Sequence, residues 1–170
     1  MLEKLSETTE LESVITTFSE YQVEIEWDLT MRCNYSCSYC VSYNNNGPTH
    51  FQSLDQYKEA LEYLKNYLGN KIARIDLLGG EPMLYKDWDS LLNIIYDLNF
   101  TPKVITNLSI PKKTLEKKIT RLIPKNCIDV SWHPQFADEK EILSKIKLIH
   151  ESGHLRSVSI LGDLRYWDKV

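Results

Sequence analysis

The feature that most constrains this chain is a rhythm: short β-rich runs alternate with amphipathic runs long enough to be helices. "VEIEWDLT" (23–30) alternates apolar and polar residues, as a strand with one buried face does. "SLDQYKEALEYLKNYLG" (53–69) places Leu54, Tyr57, Leu61, Leu64 and Leu68 at steps of three and four, with Ser53 as N-cap and Gly69 as its end. Strands are predicted again at 71–78, 102–106, 127–133 and 155–162, separated by helices at 87–98, 112–123 and 138–152. Strand, helix, strand at these lengths means right-handed βαβ units and a parallel α/β sheet of about five to six strands. That sheet is either an open Rossmann-like one or an incomplete (β/α) barrel, and in both the chemistry belongs at the C-terminal strand ends.

The polar residues fall where that rule wants them. A cysteine-rich loop follows strand one, Gly79-Gly80-Glu81 follows strand two, and Thr106-Asn107 ends strand three. Ser131 and His133 end strand four; Gly162 and Asp163 follow strand five. Residues 1–20 form a separate leader in which Leu11, Val14, Ile15 and Phe18 have helical spacing, leaving 21–170 as the core domain. The net charge of −4 argues against a broad nucleic-acid-binding surface. No apolar run approaches the roughly 20 residues of a membrane span, and "MLEKLSETTELES" lacks the apolar stretch of a signal peptide, so the expected location is the cytoplasm.

"RCNYSCSYC" (32–40) carries three of the four cysteines, Cys33, Cys37 and Cys40, spaced C-x3-C-x2-C. Crowding of this kind in a reducing compartment indicates metal or redox chemistry rather than a disulfide frame. Three thiolates are one too few for a closed tetrahedral zinc site, and His50, His133 and Cys127 stand at no familiar ligand spacing. An iron–sulfur cube held by three thiolates would instead leave one iron open to substrate. "GGEP" (79–82) supplies a turn whose glycines permit close approach or positive φ, with the Glu81 carboxylate at the active edge.

With "WDLTMRCNYSCSYC" and "LLGGEP" in order on successive strands, the chain resembles the radical S-adenosylmethionine (radical SAM) superfamily from about residue 22 to 162. The resemblance implies a partial (β/α) barrel and a 4Fe-4S cluster on Cys33, Cys37 and Cys40. S-adenosylmethionine would chelate the open iron and be split by an electron from the cluster. The 5′-deoxyadenosyl radical so formed would abstract hydrogen from a peptide, nucleotide or other small-molecule substrate. It also implies cosubstrate contacts: Tyr39 near the adenine, Gly79, Gly80 and Glu81 at the methionine amino group, and Asn107 and Ser131 as polar contacts. Ile160 and Gly162 would lie against the adenine. Leu108 stands where the superfamily often has glycine.

Some features keep a second reading. His133 in "SWHPQF" is a candidate substrate or proton-handling residue, or a packing histidine. "KKTLEKKITRLIPK" is expected to be a solvated helix face, or else a dock for an acidic electron donor such as flavodoxin or ferredoxin. Cys127 is expected to be a buried structural thiol. The barrel is expected to stop after strand five, leaving an edge for a partner chain or second copy to cover. An activating enzyme for a glycyl radical in a partner protein is an alternative function. An iron–sulfur electron carrier or zinc module is an alternative of another class.

Overall fold

The computed structural model describes residues 21–40, 50–161 and 165, with the side chains of 120–122 excepted; the leader lies outside them. Its elements run β1 (Val23–Thr30), α1 (Leu54–Leu68), β2 (Ala73–Gly79), a 3₁₀ turn (Pro82–Leu84), α2 (Trp88–Asp97), β3 (Phe100–Thr106), α3 (Lys112–Leu122), β4 (Ile128–Trp132), α4 (Glu139–Glu151) and β5 (Leu155–Ile160). The expected strand and helix order is present throughout. α1 begins as its sequence asks: Ser53 and Gln56 form a reciprocal capping box, and Gly69 ends the helix at φ 63°.

All five strands are parallel and pair in the order β1-β2-β3-β4-β5. That order decides between the two expected architectures. A doubly wound sheet reverses direction once and puts helices on both faces. Strictly sequential order, with every crossover of one hand, keeps them on a single face and curls the sheet toward a barrel. The helices accordingly pack in series, α1 on α2, α2 on α3 and α3 on α4. This is the partial (β/α) barrel.

The two sheet faces differ in chemistry. On the helix side Ile75, Leu77, Val104, Ile128 and Val130 meet Leu61, Trp88, Leu91, Ile95, Leu115, Ile119, Ile142 and Ile149 in one core. Deep burial of such side chains, at about 25 cal/mol per Å² of apolar surface, holds the layers together. The inner face instead carries a chain of ion pairs that crosses every strand. Arg74 bonds Glu24 at 2.8 Å and Asp76 at 2.7 Å; Lys103 pairs with Asp76 and, at 3.3 Å, with Asp129; Arg156 reaches Asp129 at 2.6 Å.

β1 and β5 are the sheet edges. Val158, Ile160 and Leu161 at the β5 end are large apolar residues left substantially exposed. Among the described residues, no helix is long and apolar enough to cross a membrane.

Candidate active site

The two motifs meet because the ends of β1 and β2 are stitched together by backbone. Gly80 N–H donates to the Thr30 carbonyl at 2.7 Å, and Glu81 N–H to the Arg32 carbonyl at 2.9 Å. Gly79 has φ 127°, and a Cβ there would fall on the Thr30 carbonyl; one on Gly80 would fall on the Arg32 carbonyl. The glycines are therefore required by contact between two chain segments, one step before any ligand. Their consequence is that the cysteine loop starts directly against the Gly-Gly turn.

Cys33, Cys37 and Cys40 line one cavity of about 190 Å³ together with Gly79, Gly80, Asn107, Ser131 and His133. Leu78 and Ile105 complete its floor. Neither was singled out from sequence, although alternation along β2 and β3 places both on the inner face. His50 and Cys127 are not among the lining residues; Cys127 is buried in the core, as expected of a structural thiol. All four cysteines are free. Burial raises the Cys33 thiol, partly offset by the Tyr35 N–H, and raises Cys37, partly offset by the Tyr39 hydroxyl. A bound metal reverses that balance by favouring thiolates. Among the described residues no three His, Cys, Asp or Glu side chains converge as a single-ion site requires. A cube, ligated at separate corners, does not need such convergence.

Glu81 departs from expectation. Its side chain is 0% exposed. One oxygen accepts from Met83 N–H at 3.0 Å and Thr106 Oγ1 at 2.8 Å, and the other from Asn107 N–H at 2.7 Å. It caps the 3₁₀ turn and clasps the end of β3, so its carboxylate does not stand at the cavity wall to meet an ammonium group. Burial pushes it up to about 7, since the three donors are neutral and only partly offset the loss of water. The clasp sets Asn107, whose Nδ2 reaches Cys33 Sγ at 3.5 Å and Asn34 Oδ1 at 3.4 Å. Leu108, in the place expected for glycine, takes φ 54° with its side chain buried. The left-handed turn is thus kept without the glycine, held by Thr106 Oγ1 on Leu108 N–H and by Lys145 Nζ on its carbonyl at 2.8 Å.

The β4 end closes over the cysteine loop. His133 Nδ1 lies 3.5 Å from Cys37 Sγ and 3.2 Å from the Tyr39 hydroxyl, and its ring is nearly parallel to Tyr39 at 5.9 Å. Tyr39 is thus stacked on His133, and Tyr35 is the tyrosine that lines the cavity. Gln135 Oε1 accepts from Ser38 N–H at 2.8 Å, and Phe136 stacks on Tyr35 at 5.2 Å. Burial pushes His133 down.

Ile160, expected against the adenine, pairs with Trp132 on the opposite face from Ser131 and Ser159, outside the cavity lining. A strand of period two puts adjacent residues on opposite faces, and the register here favours Ser159. Gly162 lies outside the described residues. The basic helix α3 is not wholly solvated, because Lys118 Nζ donates to the Met83 and Tyr85 carbonyls beyond the Gly-Gly-Glu-Pro turn.

The class so defined is one of architecture: a singly wound parallel (β/α) sheet with three cysteines sharing one cavity at its C-terminal strand ends. The chain belongs to the radical SAM superfamily, whose family model matches residues 27–164. It is 30% identical over 154 residues to an S-adenosylmethionine-dependent nucleotide dehydratase of Selenomonas ruminantium, covering 82% of this chain and 52% of that one. It is 34% identical over 76 residues to a GTP 3′,8-cyclase of Nautilia profundicola, covering 43% of this chain and 23% of that one. The chain thus spans about half, or less, of these relatives.

Among solved structures, BtrN in complex with AdoMet and 2-DOIA aligns over 84% of this chain and 58% of its own, with TM-score 0.63 and 21% identity. Streptococcus suis SuiB bound to the precursor peptide SuiA aligns over 86% of this chain and 35% of its own, with TM-score 0.60 and 18% identity. The radical SAM family uses a 4Fe-4S cluster and S-adenosylmethionine.

Proposed function

We propose that this protein holds a 4Fe-4S cluster on Cys33, Cys37 and Cys40 and acts on a nucleotide. The cofactor pair supplies reductive cleavage of S-adenosylmethionine to methionine and a hydrogen-abstracting 5′-deoxyadenosyl radical. The observation that carries this reading is one cavity lined by all three cysteines and the Gly79-Gly80 backbone. Free thiols that share a cavity with glycine backbone, an amide and a hydroxyl fit a thiolate-bound cluster beside an amino-acid-bearing cosubstrate.

In this reading Gly79 and Gly80 offer backbone carbonyls to the methionine ammonium, and Asn107 and Ser131 bond the carboxylate and ribose. Glu81 acts one step behind, by fixing Asn107. Leu78 and Ile105 shield the reacting centre from water. The nucleotide assignment is supported by the names of the relatives and by a polar inner face: Ser131 pairs with Ser159, next to Ser157, beside the cavity. The electron comes from a donor such as flavodoxin or ferredoxin.

The test is anaerobic reconstitution with iron, sulfide, reductant and S-adenosylmethionine. The expected result is 5′-deoxyadenosine, formed faster with one of the ribonucleoside triphosphates than without. No 5′-deoxyadenosine and no change of the cluster's EPR signal on adding S-adenosylmethionine would sink the reading. Formation that no nucleotide stimulates would sink the substrate class alone.

A further inference from the structure

Residues 133–136 hold the cysteine loop at several points, and the function proposed above uses none of them. His133 approaches Cys37 and Tyr39, Gln135 takes Ser38, and Phe136 takes Tyr35. This segment belongs to the β4–α4 connection, nearly a hundred residues along the chain from its partners. A loop rich in hydrogen-bonding residues with little regular structure of its own needs such a template to present its thiols together.

We propose that His133 is the positioning residue of this loop, and that its Nδ1–H donates to the Cys37 thiolate and raises the reduction potential of the cluster bound there. The inference rests on the reading of Cys33, Cys37 and Cys40 as cluster ligands. A metal-bound thiolate can only accept, so beside Cys37 Sγ the proton belongs on Nδ1, where it also faces the Tyr39 oxygen. The Tyr39 hydroxyl donates to the same sulfur, which gives Cys37 two donors from an aromatic pair stacked within 8° of parallel. Donors to ligand sulfur stabilise the more negative, reduced cluster, and so move the potential upward.

The experiment compares His133→Phe, His133→Asn and Gln135→Ala with the wild type after reconstitution, without S-adenosylmethionine. Readouts are iron per chain and the midpoint potential from an EPR-monitored redox titration. Phenylalanine keeps the ring stack and removes the donor. It should retain the cluster while disfavouring one-electron reduction by about tenfold, about 59 mV to the negative. Asparagine, which returns an N–H near the Nδ1 position, should recover most of that shift. Gln135→Ala loosens the same loop and should leave the potential where it was.

An unchanged potential in a cluster-loaded His133→Phe protein overturns the proposal, as does an asparagine variant shifted as far as phenylalanine or a Gln135→Ala variant that shifts equally. If the phenylalanine variant takes up no cluster, uptake by the asparagine variant supports the role and its failure overturns it. Cys37→Ala separates the two readings, because undiminished iron in that variant refutes the cluster assignment itself.

Discussion

Asp76 and Glu81 are carboxylates five residues apart, both nearly sealed from solvent, and they sit in opposite electrostatic settings. Asp76 is mid-strand on the inner face. Burial works against its charge, but hydrogen bonds from Arg74 and Lys103 outweigh that and hold it below the usual carboxylate range. Glu81 is just past the strand end, where backbone and hydroxyl donors satisfy its oxygens but no cation touches them, and burial carries it up to about 7. The ladder through Asp76 opposes three acids with three bases and is electrically complete. The clasp through Glu81 works by direction rather than charge, aiming Asn107 at the cysteine loop. Where the sheet must only hold together, the protein uses ion pairs; where it must place Asn107 against the cysteine loop, it uses neutral hydrogen bonds.

The harshest way to break the clasp end is Gly80→Ala, which puts a methyl on the Arg32 backbone. It should cost more than about 4 kcal/mol, visible as loss of a cooperative thermal transition. Gly69→Ala, in open space but at φ 63° and ψ −122°, should cost about 1–3 kcal/mol from backbone strain alone and serves as control.

On the ladder side, Lys103→Met leaves Asp76 and Asp129 facing each other without their shared cation. Breaking a buried pair in this way should destabilise by about 3–5 kcal/mol in chemical denaturation. Glu81→Ala orphans two backbone N–H groups and a hydroxyl. At roughly 1–3 kcal/mol for each buried group left unsatisfied, with partial relaxation, about 2–4 kcal/mol is expected. The variant should also lose Asn107 order in the side-chain NMR spectrum.

The pH dependence sharpens the contrast, because the two groups leave opposite signatures. Glu81 has a folded value above its ordinary one of 4.5, so the unfolded chain gives up that proton first. Its contribution to stability is full below about 4.5 and falls as pH rises toward 7, by about 3 kcal/mol. Asp76 is depressed, so its contribution is present above 3.8 and is lost on acidification through the lower folded value. Denaturation midpoints measured across this range should lose the upper slope in Glu81→Gln and the lower one in Asp76→Asn. An upper slope that survives in Glu81→Gln would show that Glu81 is not its source.

Much of the frame was legible without coordinates. β1 is predicted over the residues it occupies, and α1 announces itself by Ser53 and Gly69, because caps and periodicity are local properties of the chain. The cysteine spacing and the Gly-Gly turn are legible for the same reason. What was misplaced depended on neighbours. Ile160 was expected against the adenine, and the β4–β5 register puts it on the face opposite Ser131 and Ser159. Glu81 was expected at the methionine amino group because nothing in "LLGGEP" reveals that Thr106 and Asn107 will close over it. Tyr39 was expected at the adenine, and the partner it stacks on lies 94 residues away.

The sequence by itself determined that a parallel α/β sheet would form and that three thiols would gather after its first strand. Both follow from periodicity and short-range spacing, which survive in any environment. Only the tertiary structure decided that the strands run in unbroken order, that charges ladder across the inner face, and that His133 and the Glu81 clasp converge on the cysteine loop. These are contacts between distant segments, and their energies come from burial and from partners that no local stretch of chain contains.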